Sequence, residues 1–210
     1  MIRRLADATL WWPAAFDLYQ SAIGAPECHR RFITEQVLPR PGQRVLDVGC
    51  GVGASLKFIP DGVGYCGIDI SPSYIEAARR AHGSRGEFVC VDLQNAGALS
   101  GPFDTAFAFG VLHHLPDDAI PALGALLTRV LRPGGTFVSI DPCHVDTQPI
   151  WSKCLMAFDR GRHIRTEEGY RQVLGAWGKP STSTTLDMLR IRYAMAICRV
   201  NLAVPDVSRV

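Results

Sequence analysis

The 210-residue chain has no apolar run near the ~20 residues that a membrane-spanning helix requires, which excludes a helical membrane span. Its N-terminus shows no charged-then-apolar leader, so no secretory signal is expected. It lacks any block of like charge. The 22 Lys and Arg nearly balance the 20 Asp and Glu, the net charge is +2, and the arginines are scattered. That pattern gives no electrostatic footprint for nucleic acid. There is no Cys-x-x-Cys pair, and the seven cysteines (28, 50, 66, 90, 143, 154 and 198) are odd in number. Neither a disulfide framework nor a zinc site is therefore expected. A reduced, cytoplasmic setting with thiols acting as small hydrophobes is. Repeats, low-complexity tracts and linkers are missing too, so residues 1–210 read as one domain.

What is present is alternation. A hydrophobic content of 47% suits a parallel sheet covered on both faces. Residues 1–40 carry helical stretches without strand patterning. Trp11, Trp12, Phe16 and Tyr19 mark the first, and Phe32, Ile33, Val37 and Leu38 form the second, up to Pro39 and Pro41. This segment reads as a helical cap over the sheet edge or as a lid over a ligand. From Arg44 onward strands and helices alternate. Strands are expected at 45–48, 65–69, 88–93, 103–109 and 136–140. Ser71-Pro72 should open a helix reaching about His82, and an apolar stripe from Ile120 to Leu131 marks another. Right-handed crossovers then give a doubly wound sheet. Beyond Asp141 the pattern becomes loop plus helix to residue 165, then a helix capped by Thr166 and running through Trp177. Two close strands follow, at 182–187 and 190–200, and so near a pair must be antiparallel.

The first strand ends in Val45-Leu46-Asp47-Val48-Gly49-Cys50-Gly51-Val52-Gly53. Glycines at such a turn let the backbone approach a ligand that a Cβ would push away. Further acids stand at later strand ends, in Tyr65-Cys66-Gly67-Ile68-Asp69 and in Phe88-Val89-Cys90-Val91-Asp92. Ligands of open α/β sheets bind beyond those ends, where a carboxylate needs a polar partner. Gly49-x-Gly51-x-x-Ala54 followed by Asp69 also fits a loose dinucleotide fingerprint. Asp47 speaks against it, because it would set an anion beside the pyrophosphate.

Together with Leu131-Arg132-Pro133-Gly134-Gly135, these motifs resemble the class I S-adenosylmethionine-dependent methyltransferases, in particular their small bacterial single-domain members. The resemblance covers residues 40–142 by motif and the remainder by element order. It implies an α/β fold: a doubly wound, mostly parallel seven-stranded sheet with an antiparallel last strand and an N-terminal helical cap. Residues 41–142 would be the cofactor-binding half and 143–210 the substrate-side half. The implied cofactor is S-adenosyl-L-methionine. Gly49, Gly51 and Gly53 would wrap its methionine part, and Asp47 would orient that end, through water to the ammonium. Asp69 would take both ribose hydroxyls, with Ile70 packing on the adenine. Asp92 would accept from the adenine amino group, the Leu93 N–H would donate to the ring, and Gly110 would leave room for the methionine chain.

The stretch Gly110-Val111-Leu112-His113-His114-Leu115 resembles one found in small-molecule methyltransferases. From it, His113 is expected to face the acceptor and His114 to be buried. His144, after the fifth strand, is the second candidate base. Arg160, Arg162, His163 and Arg165 would grip an anionic acceptor, or else form a connector paired with Asp159, Glu167 and Glu168. No Asn-Pro-Pro-Tyr or Asp-Pro-Pro-Tyr follows the fourth strand, so methylation of nucleic-acid adenine or of glutamine is not expected. Gly110 and Asp141-Pro142 stand where metal-dependent catechol-type enzymes carry acids, so no catalytic magnesium is expected. Methyl transfer to an O or N atom of a small molecule is the resulting expectation, with the protein a monomer or homodimer. A cofactor-assisted reaction without transfer, or a non-catalytic partner subunit, stands as the alternative.

Overall fold

In a computed structural model the chain is described over residues 23–93, 99–157, 161–186 and 188–202. The central strand, β1 (Arg44–Val48), pairs in parallel with β2 (Gly64–Asp69) on one side and with β4 (Phe103–Phe109) on the other. β3 (Glu87–Cys90) forms one edge, parallel to β2. β5 (Leu131–Pro142) runs parallel to β4. β7 (Met195–Leu202) inserts antiparallel between β5 and β6 (Gly178–Thr185), giving the order β3-β2-β1-β4-β5-β7-β6. The order reverses at β1 and β4, so the tips of β1, β2 and β4 open into a crevice.

These strands are the near-continuous apolar runs of the sequence. Val45, Leu46, Val48, Ala106, Phe107 and Ala108 are all buried, as expected where helices cover both faces. The helix α1 (Ala25–Arg31) continues into a π-helical turn (Phe32–Val37), and Phe32 packs its ring against Phe107 and Phe109 at 6.3 and 5.7 Å between centroids. Ser71 caps α2 (Pro72–His82), its Oγ accepting from Tyr74 N–H at 3.4 Å. α3 (Ile120–Val130) buries its apolar stripe, α4 (Ile150–Ala157) follows β5, and Thr166 caps α5 (Glu167–Leu174). Among the described residues no helix is long and apolar enough to cross a membrane.

Several boundaries differ from expectation, among them β6, which runs over 178–185 rather than 182–187. β3 stops at Cys90, so Asp92 lies beyond the strand. β5 begins at Leu131, where it pairs with Phe103 across a register shift, rather than at Thr136. β7 begins at Met195 rather than at residue 190, because both of its neighbours end opposite Met195, at Pro142 and Thr185. Leu38, placed on the apolar stripe, is instead half exposed and ends the π turn in the left-handed region at φ 54°. Trp11, Trp12, Phe16 and Tyr19 lie outside the described residues.

Candidate active site

The glycine loop leaves β1 and enters a short 3₁₀ helix (Ala54–Phe58). Gly49 and Cys50 both donate backbone N–H groups to the Ile68 carbonyl, at 2.8 and 2.9 Å, which folds the loop over the tip of β2. Gly49 sits at φ 71°, and a Cβ there would lie 2.6 Å from a Val111 methyl, so no larger residue fits. Gly51, at φ 53°, is the opposite case: a Cβ would project into open space with nothing within 4 Å. Gly53 abuts Phe88 and His82, and the His82 imidazole lies 3.1 Å from the Val52 carbonyl.

Asp69 fastens this loop. Its Oδ2 accepts from Gly51 N–H at 2.9 Å and its Oδ1 from Ser71 N–H at 2.8 Å. Each oxygen keeps a second lone pair for a ligand. Ile70 follows with 68% of its surface exposed, an unusual exposure for a large aliphatic at a strand end. Asp92 is exposed and Leu93 partly so, next in line beyond β3. Gly110, at φ 66°, closes the tip of β4 and donates its N–H to Ile140. Gly51, Asp69 and Ile70 thus adjoin at the tips of β1 and β2, and Gly110 stands at the tip of the neighbouring β4.

Asp47 does not line that crevice. Its carboxylate is 1% exposed and turns beneath the 3₁₀ helix, where Tyr65 Oη donates to Oδ2 at 2.6 Å and Ser55 also hydrogen-bonds to it. Burial raises its pKa to about 7, the Ser55 and Tyr65 bonds oppose the rise, and the Asp69 charge adds to it. The carboxylate thus supports the loop from below. The same network contains a residue that sequence reasoning missed. His29, on α1, reaches Ser55 Oγ at 2.9 Å and stacks on Phe109 at 4.0 Å between ring centroids. Burial, with a contribution from Lys57, lowers its pKa to about 4, so the ring is neutral at physiological pH. Nothing in the spacing of the first 40 residues singled it out.

Of the two adjacent histidines, His113 is the buried one and His114, expected to be buried, is exposed. They lie in a 3₁₀ turn (Leu112–His114) that directs Leu112 and His113 inward and leaves His114 exposed. His113 is 4% exposed, with Nδ1 2.9 Å from Asp141 Oδ1 at the tip of β5. His144 is exposed, and its backbone N–H donates to Arg165. Arg165 is no anion grip. Its guanidinium donates to the carbonyls of Leu112, His163 and Leu115, at 2.9, 3.1 and 2.8 Å, and pairs with Asp117. The connector reading survives with different acids. Asp117 serves Arg165, whereas Glu167 and Glu168 pair with Arg171. Arg162 is exposed, and Asp159 and Arg160 lie outside the described residues.

Residues 45–135, which contain this loop and the tips of β1 to β4, match a family model described as a methyltransferase domain. A 2-methyl-6-phytyl-1,4-hydroquinone methyltransferase of Synechocystis sp. is 30% identical over 177 residues, covering 80% of this chain and 50% of that protein. The chain belongs to the class I S-adenosylmethionine-dependent methyltransferase family. An O-methyltransferase of Aspergillus sclerotiorum is 38% identical over 126 residues, covering 57% of this chain and 47% of that one. This methyltransferase chain thus spans about half the length of these curated relatives. The solved structure of a geranyl diphosphate methyltransferase in complex with S-adenosylmethionine superimposes with a TM-score of 0.68, over 84% of this chain and 85% of that one, at 13% identity. At that identity the likeness is one of fold: a seven-stranded, largely parallel sheet with an antiparallel inserted strand. The residues present fit the family's cofactor. The open space at Gly51 admits a ligand against bare backbone, and Asp69 and Ile70 offer an acceptor pair beside an apolar face.

Proposed function

We propose that this chain is an enzyme that binds S-adenosyl-L-methionine in the β1–β2–β4 crevice and transfers its methyl group to an O or N atom of a small molecule, anionic acceptors included. The observation that carries the reading is Asp69, whose two oxygens are both oriented by the glycine loop and the start of α2 while each keeps acceptor capacity toward the crevice. When bound, the cofactor supplies an electrophilic methyl on a positively charged sulfur. Asp69 accepts the ribose hydroxyls, Ile70 packs on the adenine, Asp92 accepts from its amino group, and the Leu93 N–H donates to its ring. The backbones at Gly49, Gly51, Gly53 and Gly110 leave room for the methionine chain, over a floor that Asp47 supports. His113 and His144 are the proton acceptors on the side of the second substrate. Alignment of nucleophile and methyl, with water excluded, supplies most of the rate in such a displacement.

Residues 1–210 act as one domain in this reading, with 1–40 as cap, 41–142 as cofactor half and 143–210 as substrate half, in a monomer or homodimer. Seven free thiols suit the cytoplasm. The test is incubation of the purified chain with S-adenosylmethionine and panels of phenols, sugars, amino acids and amines, followed by chromatography and mass spectrometry. Stoichiometric S-adenosylhomocysteine and a product heavier by one methylene support the proposal. A new product without S-adenosylhomocysteine contradicts it in favour of a cofactor-assisted rearrangement. Binding without any turnover contradicts it in favour of a partner subunit.

A further inference from the structure

A chain of hydrogen bonds starts beneath the glycine loop and ends on α1. Tyr65 Oη donates to Asp47 Oδ2 at 2.6 Å, Ser55 bonds to the same carboxyl, and His29 Nε2 lies 2.9 Å from Ser55 Oγ. Asp47 and Ser55 are both buried. The His29 ring is fixed from two further sides, stacked on Phe109 at 4.0 Å between centroids and tilted against Phe58 at 5.8 Å. Phe109 ends β4, so the ring bridges the loop and the tip of that strand. A serine hydroxyl has one hydrogen, and an ionised carboxylate only accepts. With Asp47 ionised, Ser55 donates to it, and Ser55 Oγ accepts from His29 Nε2–H. With Asp47 protonated the chain runs the other way: the carboxyl donates to Ser55, Ser55 donates to Nε2, and the ring proton sits on Nδ1. Among the described residues, the other ionisable groups acting on Asp47 are Asp69 at the crevice and Tyr65, Cys50 and Cys66, which burial keeps protonated, while Lys57 acts on His29. The Asp69 charge already raises the Asp47 pKa, so charge in the crevice is felt at the head of the chain.

We propose, resting on the cofactor-binding reading above, that His29 is a positioning residue for the cofactor: through Ser55 it holds Asp47 as the carboxylate beneath the glycine loop, and binding of the positively charged cofactor sets the chain in the direction His29 to Ser55 to Asp47. A cation in the crevice acts on Asp47 with the opposite sign to Asp69 and favours the ionised form. The net change over the chain is the loss of one proton, which passes to water, and a move of the ring proton of His29 from Nδ1 to Nε2. Affinity for S-adenosylmethionine therefore rises as pH rises through about 7, where Asp47 titrates. S-adenosylhomocysteine lacks the charge on sulfur and drives the change less. The chain thus distinguishes cofactor from product by charge, from a helix outside the strand–loop unit that contains the glycines.

Nitrogen-15 imidazole spectra read the direction of the chain without any cofactor. At pH 8.5 the wild-type His29 should carry its proton on Nε2. In Asp47→Asn, whose amide oxygen faces Tyr65 and whose nitrogen donates to Ser55, the proton should sit on Nδ1. The same tautomer in both proteins would overturn the proposal. Calorimetry with S-adenosylmethionine at pH 7, in buffers of different ionisation enthalpy, counts the protons released. The wild type should release about half a proton more than Asp47→Asn, because Asp47 is then half ionised in the free protein, and less with S-adenosylhomocysteine. His29→Leu should weaken S-adenosylmethionine about threefold at pH 7, since the ionised form loses one hydrogen bond, and should match wild type at pH 8.5. His29→Gln, whose amide can donate or accept, should restore the affinity. Equal proton release by wild type and Asp47→Asn, or a His29→Leu defect that persists at pH 8.5, would overturn the proposal and leave the cofactor-binding reading standing. Absence of S-adenosylmethionine binding by the wild-type chain at every pH would instead remove the reading on which it rests.

Discussion

Asp47→Asn isolates one buried ionisation. The carboxyl is 1% exposed, and burial raises its pKa from 3.8 to about 7. The folded protein therefore holds a proton that the unfolded chain has already released. The stability this contributes is complete below about pH 4 and is lost as pH rises through 7. A displacement of about 3 pH units at ~1.4 kcal/mol each sets an upper scale on the order of 4 kcal/mol. His29 acts with the opposite sign over an overlapping window. Its pKa falls from 6.5 to about 4, so its contribution is present above pH 6.5 and is lost as pH falls through 4. In the wild type the two trends offset each other. The side-chain amide of the variant still offers an oxygen to Tyr65, so the variant should fold and retain only the His29 slope. Urea unfolding followed by tryptophan fluorescence at half-unit steps from pH 4.5 to 8.5 reads the difference. The variant's stability relative to wild type should climb by several kcal/mol from acid to alkaline pH. A difference constant to within ~0.5 kcal/mol would refute the placement of a strained carboxyl under the loop.

Other substitutions probe the loop and its supports separately. Gly51→Ala should cost the free protein about 1–2 kcal/mol for a left-handed alanine, since its methyl meets no atom. Its affinity for S-adenosylhomocysteine should fall more than tenfold, so thermal melts and calorimetry on one sample should part company. Arg165→Met leaves three carbonyls without their donor and should destabilise by about 2–4 kcal/mol in urea titrations. Asp117→Asn should change stability by less than ~1 kcal/mol, because that partner is largely exposed.

Much of the sheet could be read from residue order. The strand at Phe103–Phe109 and the helix Pro72–His82 fall at the expected residues, because apolar continuity and a Ser-Pro cap are local signals. The β7 boundary is not local, since it depends on where two partner strands end. The candidate site divides along the same line. Gly51 and Asp69 meet across the 18 residues that join the tips of two adjacent parallel strands, β1 and β2. The His113–Asp141 bond spans 28 residues, and His29 reaches its Ser55 partner across 26. Such pairings come from the topology, and no spacing rule announces them. The burial of His113 rather than His114 goes with its bond to Asp141, a partner that the local motif does not encode.

The account turns on Asp69 as the acceptor for an adenosyl group. Titration calorimetry with S-adenosylhomocysteine on the wild-type chain and on Asp69→Ala tests it most directly. The wild type should bind one equivalent, and the variant should lose about 1–3 kcal/mol of binding free energy, the scale of a charged hydrogen-bond acceptor. Equal affinity in the two proteins, or no heat of binding in either, would contradict it.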